Sequence, residues 1–268
     1  MTEVLAGKRM LVVGASAGIG RSIALRAAGD GCEIAVVARR RDVLEELTAK
    51  AGSGSVIVAD LALPEDCSRI ADEAAAALGS IDVVVFAAAT AQLRPLHTMS
   101  PAEWARTLDT NLIGVNLTIA RLLPHLRDGA LVVVMSSESA GRPFYGLGAY
   151  AASKSAAEDT LRAWRIEQPS FRFVTLVVGM TAPTDFASNF EPDEMTDAFP
   201  VWAAQGNAPA ELMKRNEVAD VAVDLIAAVL PHRSVGMETV VLRSPAPLTG
   251  AGDALADAAL TRRGSFGA

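Results

Sequence analysis

The sequence is poor in thiols and in imidazoles. Its 268 residues include two cysteines, Cys32 and Cys67, and three histidines, His97, His125 and His232. The cysteines stand in unlike contexts without metal-type spacing, and the histidines are scattered. No metal centre is therefore expected, and the thiols are expected to be reduced. Long apolar runs are also missing: none approaches the roughly 18–20 residues that a membrane span needs. Met1 to Arg9 lacks the apolar core of a secretory leader. There is no basic stripe, and a net charge of −7 argues against a nucleic-acid partner. These absences lead to the expectation of a cytoplasmic protein with no membrane and no nucleic-acid partner. No internal repeat or linker divides the chain, so one domain over 1–268 is expected.

What is present is an alternation. Short apolar runs at 10–13, 33–38, 55–59, 81–87, 130–136, 171–178 and 238–243 read as seven buried strands. Helical stretches at 19–29, 41–51, 64–78, 101–126, 150–168 and 217–230 separate most of them. Near-continuous apolar strands are expected when both faces of a sheet are covered. The pattern predicts an α/β fold, a Rossmann-type doubly wound, seven-stranded parallel sheet with helices on both faces. Two segments stand apart: a long insertion at 181–216, and a small-residue tail at 244–268 that is expected to be loose.

The first strand runs into Gly14-Ala15-Ser16-Ala17-Gly18-Ile19-Gly20 and then a helix. Glycines there allow a sharp turn and close approach to a pyrophosphate, with the helix N-terminus aimed at the anion. The second strand ends Ala38-Arg39-Arg40-Arg41. No carboxylate stands at its tip to take ribose hydroxyls, and Asp42 is expected to cap the following helix. Arginines at that place suit a 2′-phosphate, so NADP(H) is expected over NAD(H), with Arg39 the main contact and Arg40 stacking or assisting. Asp60-Leu61 follows the third strand. Asp60 there either reaches an adenine amino group or caps a helix.

Tyr150-Ala151-Ala152-Ser153-Lys154 places a phenol and an ammonium on one helix face. An ammonium nearby favours the phenolate, and a phenol tuned that way passes protons to or from an alcohol oxygen near neutral pH. Lys154 also suits a ribose. Ser137 closes a strand at the edge where ligands bind in such sheets. Asn111 lies inside a helical stretch among Leu108, Leu112 and Ile113, where an amide needs a partner or a solvated face.

Taken in order, Gly14/Gly18/Gly20, Asp60, Asn111, Ser137 and Tyr150/Lys154 resemble the motifs of the single-domain short-chain dehydrogenase/reductase family, over about Lys8 to Arg243. The resemblance implies that Tyr150 is the general acid/base and that Ser137 bonds the substrate oxygen. It implies that Lys154 lowers the tyrosine pKa and binds ribose, and that Asn111 props a water in the relay. It places Gly14, Ser16, Gly18, Ile19, Gly20, Arg39, Arg40, Asp60, Leu61, Ala87, Ala88, Asn111, Tyr150, Lys154, Gly179 and Thr181 around the cofactor. A homodimer or homotetramer is implied as well.

The chain departs from that family at Val13, where it has Thr, at Phe86-Ala87-Ala88-Ala89, where it has Asn-Asn-Ala-Gly, and at Val178-Gly179, where it has Pro-Gly. Thr181 or Thr184 then serves the nicotinamide carboxamide, with Thr181 favoured. Phe186, Phe190, Met195, Phe199, Trp202, Leu212 and Met213 in the insertion either cover an apolar carbonyl or alcohol substrate or pack the lid onto the body. Residues 141–148, with Phe144, Tyr145 and Leu147, are expected to form another pocket wall. Arg94 and Arg142 are the candidates for an anionic substrate group. The expected activity is carbonyl–alcohol interconversion. The alternatives are a non-catalytic NADP(H)-binding sensor and an epimerase or dehydratase on the same fold.

Overall fold

The computed structural model describes residues 2–246; most of the tail expected to be loose lies outside them. In chain order the elements are α1 (Thr2–Leu5), β1 (Arg9–Val13), α2 (Gly18–Gly29), β2 (Glu33–Ala38), α3 (Arg41–Ala51), β3 (Ser55–Val58), α4 (Pro64–Leu78) and β4 (Ile81–Phe86). There follow α5 (Pro101–Leu108), α6 (Gly114–Leu122), β5 (Leu126–Ser137), α7 (Glu138–Gly141), α8 (Gly148–Glu167) and β6 (Arg172–Val178). The chain continues through β7 (Thr181–Ala182), α9 (Pro192–Ala204), β8 (Met213–Lys214), α10 (Arg215–Val229) and β9 (Thr239–Leu242).

Seven strands form one parallel sheet in the order β3-β2-β1-β4-β5-β6-β9, and β7 and β8 pair separately. Strand side chains alternate between faces, and the core divides accordingly. Met10, Val12, Ile34, Val36, Val83 and Val85 pack with Ile23 and Ala27 of α2 and with Val223 and Ile226 of α10. Leu11, Val13, Ala35, Val37, Val84 and Phe86 face the other way, toward Ile70 and Ala74 of α4, Ile119 of α6 and Leu161 of α8. Each fully buried side chain of this size contributes about 1.5–3 kcal/mol relative to exposure.

Two local expectations are corrected. The continuous helix over 101–126 is broken. Asp109–Ile113 forms a π-helical turn between α5 and α6, and Leu123–His125 closes as a 3₁₀ turn at Pro124. Gly114 packs against the Leu61 carbonyl so closely that a Cβ would overlap its oxygen. The π-turn adds a residue to the helix there and carries Asn111 inward. The other correction concerns Asp42. Arg40 occupies the N-cap position of α3 with no side-chain cap, and Asp42 lies in the first turn, where its charge favours the helix dipole instead.

Among the described residues no helix is long and apolar enough to cross a membrane. Cys32 and Cys67 are buried free thiols, and burial pushes both above the ordinary thiol value.

Candidate active site

The C-terminal ends of the parallel strands open onto one cavity of about 680 Å³. One end is built by the β1–α2 turn. Gly14 has a positive φ of 93°, and a Cβ there would overlap the Ala88 nitrogen. A Cβ on Gly20 would overlap the Gly14 carbonyl oxygen, so Gly20 serves close packing behind the turn and does not line the cavity. Helix α2 has no side-chain cap and no acidic residue in its first turn. Its first N–H groups are thus left for an anion.

The residues at the family departures are accounted for by backbone and core. Val13 and Phe86 are buried in the sheet core. The Val13 carbonyl accepts from the Ala87 and Ala88 amides at 2.7 and 3.0 Å, so main-chain bonds join β1 to the segment after β4. Gly179 donates to the Leu242 carbonyl at 2.9 Å.

At the tip of β2, Arg39 is largely exposed and only approaches Asp60, at 4.0 Å. Arg40 donates to Ser16 Oγ at 3.1 Å and to Asp185 at 3.0 Å. Asp60 accepts from the Ala62 amide at 3.0 Å and from Arg106 at 2.9 Å. Burial alone would push its carboxyl up, but that amide and the Arg106 guanidinium outweigh it and hold the group below the usual range. Leu61, Ala87, Ala88, Gly179 and Thr181 line the same cavity. The Thr181 hydroxyl donates to the Gly179 carbonyl at 2.9 Å, whereas Thr184 is the threonine that lies against Gly18.

At the other end Tyr150 is 7% exposed. Ser137 favours its phenolate, but burial outweighs that influence, pushing the pKa to about 12. Lys154 is equally buried. Its ammonium donates to the Met135 carbonyl at 2.7 Å and stands 5.9 Å from the Tyr150 ring centroid. Burial pulls its pKa down to about 8, against the opposing charge of Glu158. The phenol is thus raised, opposite to the direction that Tyr–Lys spacing alone suggests, because its desolvation outweighs the influence of Ser137. Ser137 Oγ accepts from the Ser139 amide at 3.2 Å and from Ser139 Oγ at 3.0 Å.

Asn111 is fully buried behind this group and does not line the cavity. Its Oδ1 accepts from the Thr90 amide, and its Nδ2 donates to the Thr90 carbonyl and to Ser153 Oγ. Ser153 Oγ donates in turn to the Tyr150 carbonyl at 2.7 Å. The amide therefore ties the segment after β4 to the helix that carries Tyr150. Replacing Asn111 by Leu leaves buried polar partners unmet and is expected to cost about 3 kcal/mol of stability, read by denaturant unfolding; a loss below about 0.5 kcal/mol would contradict this network.

Sequence reasoning missed Arg106, Ser139, Thr90 and Ser153. Ser153 carries a legible signal, a hydroxyl one turn from Tyr150 on the buried face of its helix; Arg106 and Thr90 depend on distant partners, and Ser139 bonds Ser137 two positions before it. Above the phenol, Phe186 meets the Tyr150 ring edge-on at 5.0 Å. Phe144, Phe190, Met195 and Trp202 both line the cavity and pack together, so lining and packing are the same residues here. Arg94 pairs with Glu103 and Glu194, Arg142 donates to the Gln205 carbonyl, and neither lines the cavity.

Residues 8–195 match the family model described as short chain dehydrogenase. The chain is 32% identical over 194 residues to 11-beta-hydroxysteroid dehydrogenase-like 2 of Arabidopsis thaliana, covering 68% of this chain and 63% of that protein. It is 35% identical over 169 residues to glycine betaine reductase ATRR of Emericella nidulans, covering 61% of this chain but 13% of that protein. These matches thus span less than two thirds of each relative. Among solved structures, an alcohol dehydrogenase from Thermococcus sibiricus complexed with 5-hydroxy-NADP superposes with a TM-score of 0.75 at 27% identity, covering 89% of this chain and 97% of that one. A short chain dehydrogenase from Burkholderia cenocepacia in complex with NADP gives 0.75 at 28%, with the same coverage. Matched over most of its length, and carrying the glycine turn and the serine, tyrosine and lysine on one cavity, the chain belongs to the short-chain dehydrogenase/reductase family of oxidoreductases.

Proposed function

We propose that the protein is an NADP(H)-dependent reductase or dehydrogenase that interconverts an apolar ketone or aldehyde and its alcohol. The observation that carries this reading is a single cavity lined by Arg39 and Arg40 at one end and by Ser137, Tyr150 and Lys154 at the other. The residues present fit a dinucleotide. The uncapped α2 N-terminus and Ser16, Gly18 and Ile19 would hold the pyrophosphate, Arg39 and Arg40 the 2′-phosphate, Asp60 and Leu61 the adenine, and Lys154 the nicotinamide ribose. NADP(H), when bound, supplies or accepts the hydride.

The protein's own part is proton management and exclusion of water. Ser137 donates to the substrate carbonyl oxygen and orients it. Tyr150 gives that oxygen its proton as charge develops. Lys154 supports the phenolate left behind, and Asn111 fixes the helix on which both stand. Phe144, Phe186, Phe190 and Trp202 favour an apolar substrate body and keep the site dry. The reading includes a cytoplasmic location and a homodimer or homotetramer, for which exposed Ile113, Leu117 and Ile166 offer apolar contact.

Following NADPH absorbance against a panel of ketones and aldehydes tests the activity. Turnover of apolar members is expected; silence across the panel with tight NADPH binding would favour a sensor. The pH dependence follows from Lys154. Its folded value near 8 lies below the ordinary lysine value, so the ammonium exists below that pH and is lost as pH rises. Tyr150, held near 12, keeps its proton across the same window. Reductive kcat/KM is therefore expected to fall by about tenfold per pH unit above about pH 8. A profile flat to about pH 10 would contradict Lys154 as the supporting charge.

A further inference from the structure

Arg40 and Asp185 are 145 positions apart in sequence, yet their side chains pair at 3.0 Å beside the glycine turn. The same guanidinium bonds Ser16 Oγ at 3.1 Å. Asp185 belongs to the segment that follows β7. Its neighbour Thr184 packs against Gly18, and Phe186 covers Tyr150. A carboxylate of the chain itself therefore sits on a guanidinium at the phosphate end of the cavity.

Both partners are about half exposed, at 51% and 54%, so their pairing is a weak one. Such a pair yields readily to a stronger anion. A phosphate monoester brings more charge and more acceptor oxygens to the same fork. Once it is there, an aspartate next to it is repelled. A dinucleotide without that phosphate has no such conflict and leaves the pair intact.

We propose that Asp185 is a specificity-determining residue that holds the Arg40 guanidinium and must yield it to a 2′-phosphate. This rests on the NADP(H) reading above. Asp185 therefore taxes phosphorylated cofactors selectively, and its charge lowers the margin by which Arg39 and Arg40 favour them.

The test is calorimetric titration of the full chain with four probes: NADPH, NADH, adenosine 2′,5′-bisphosphate and 5′-AMP. Asp185→Asn removes the charge and keeps the shape; Asp185→Ala removes both. Both variants are expected to tighten NADPH and the bisphosphate by about threefold or more, with NADH and 5′-AMP changed by less than about 1.5-fold. In an Arg40→Ala background the gain is expected to shrink below about 1.5-fold, because the guanidinium they compete for is gone. Unchanged or weaker binding of the phosphorylated probes, or equal tightening of NADH and 5′-AMP, would overturn the proposal. The outcome for the cofactor reading is separate: wild-type protein binding NADH as tightly as NADPH removes that reading. NADPH preference without a gain on losing Asp185 removes the role of Asp185 alone.

Discussion

Replacement of Tyr150 by phenylalanine is expected to lower turnover by about 10³-fold, in the range that a positioned general acid contributes, while NADPH binding stays within about twofold. The ring of Tyr150 is buried and meets Phe186 edge-on, and phenylalanine fills the same space. Burial is already unfavourable to the charged form of the phenol. Removing the hydroxyl therefore costs little folding free energy, and a lost rate cannot be assigned to unfolding. Lys154 keeps its bond to the Met135 carbonyl, so the ammonium stays in place for the ribose. Single-turnover reduction measured at saturating NADPH reads the chemical step directly. A variant that retains more than about a tenth of wild-type turnover would show that another group gives the proton.

Removing the charges at the tip of β2 is expected to separate the two nicotinamide cofactors. Arg39 is mostly exposed, and Asp60, its ion-pair neighbour among the described residues, stands 4.0 Å away. It is free to give a phosphate the charge-assisted bonds that each contribute about 1.5–3 kcal/mol. Arg39→Ala is accordingly expected to raise the apparent KM for NADPH by about 10–100-fold, with that for NADH changed less than about threefold. The double variant with Arg40→Ala is expected to lose the preference altogether. Parallel initial-rate measurements with both cofactors decide the matter; an equal rise in both would mean that Arg39 holds the β2 tip together and does not read the phosphate.

The sheet was legible because its strands are buried on both sides. Runs such as Met10 to Val13 and Val83 to Phe86 admit little other than parallel strands covered by helices. The site was legible where its chemistry is local: the glycines that no Cβ could replace, and Tyr150 with Lys154 one turn apart. What escaped the sequence depends on long-range partners. The π-turn that brings Asn111 inward is drawn by Thr90 and Ser153 and by the close approach of Gly114 to Leu61. Asp60 answers to Arg106, forty-six positions later, and Arg40 to Asp185 still further on. The direction in which burial moves the Tyr150 phenol depends on the surrounding fold in the same way. Spacing shows that an ammonium is near, but not that it points to a carbonyl, nor how completely the phenol is desolvated.

The proposed chemistry transfers hydride and proton to one carbonyl held between Ser137, Tyr150 and a nicotinamide. Its most direct test is isotopic. The protein is mixed with NADPH bearing deuterium at nicotinamide C4 and a ketone it turns over, and the product is analysed by mass spectrometry and NMR. Deuterium on the carbinol carbon, delivered from one face of the ring only, is the predicted result. An alcohol without the label, or label transferred from both faces of the ring alike, would contradict a cofactor fixed against these side chains.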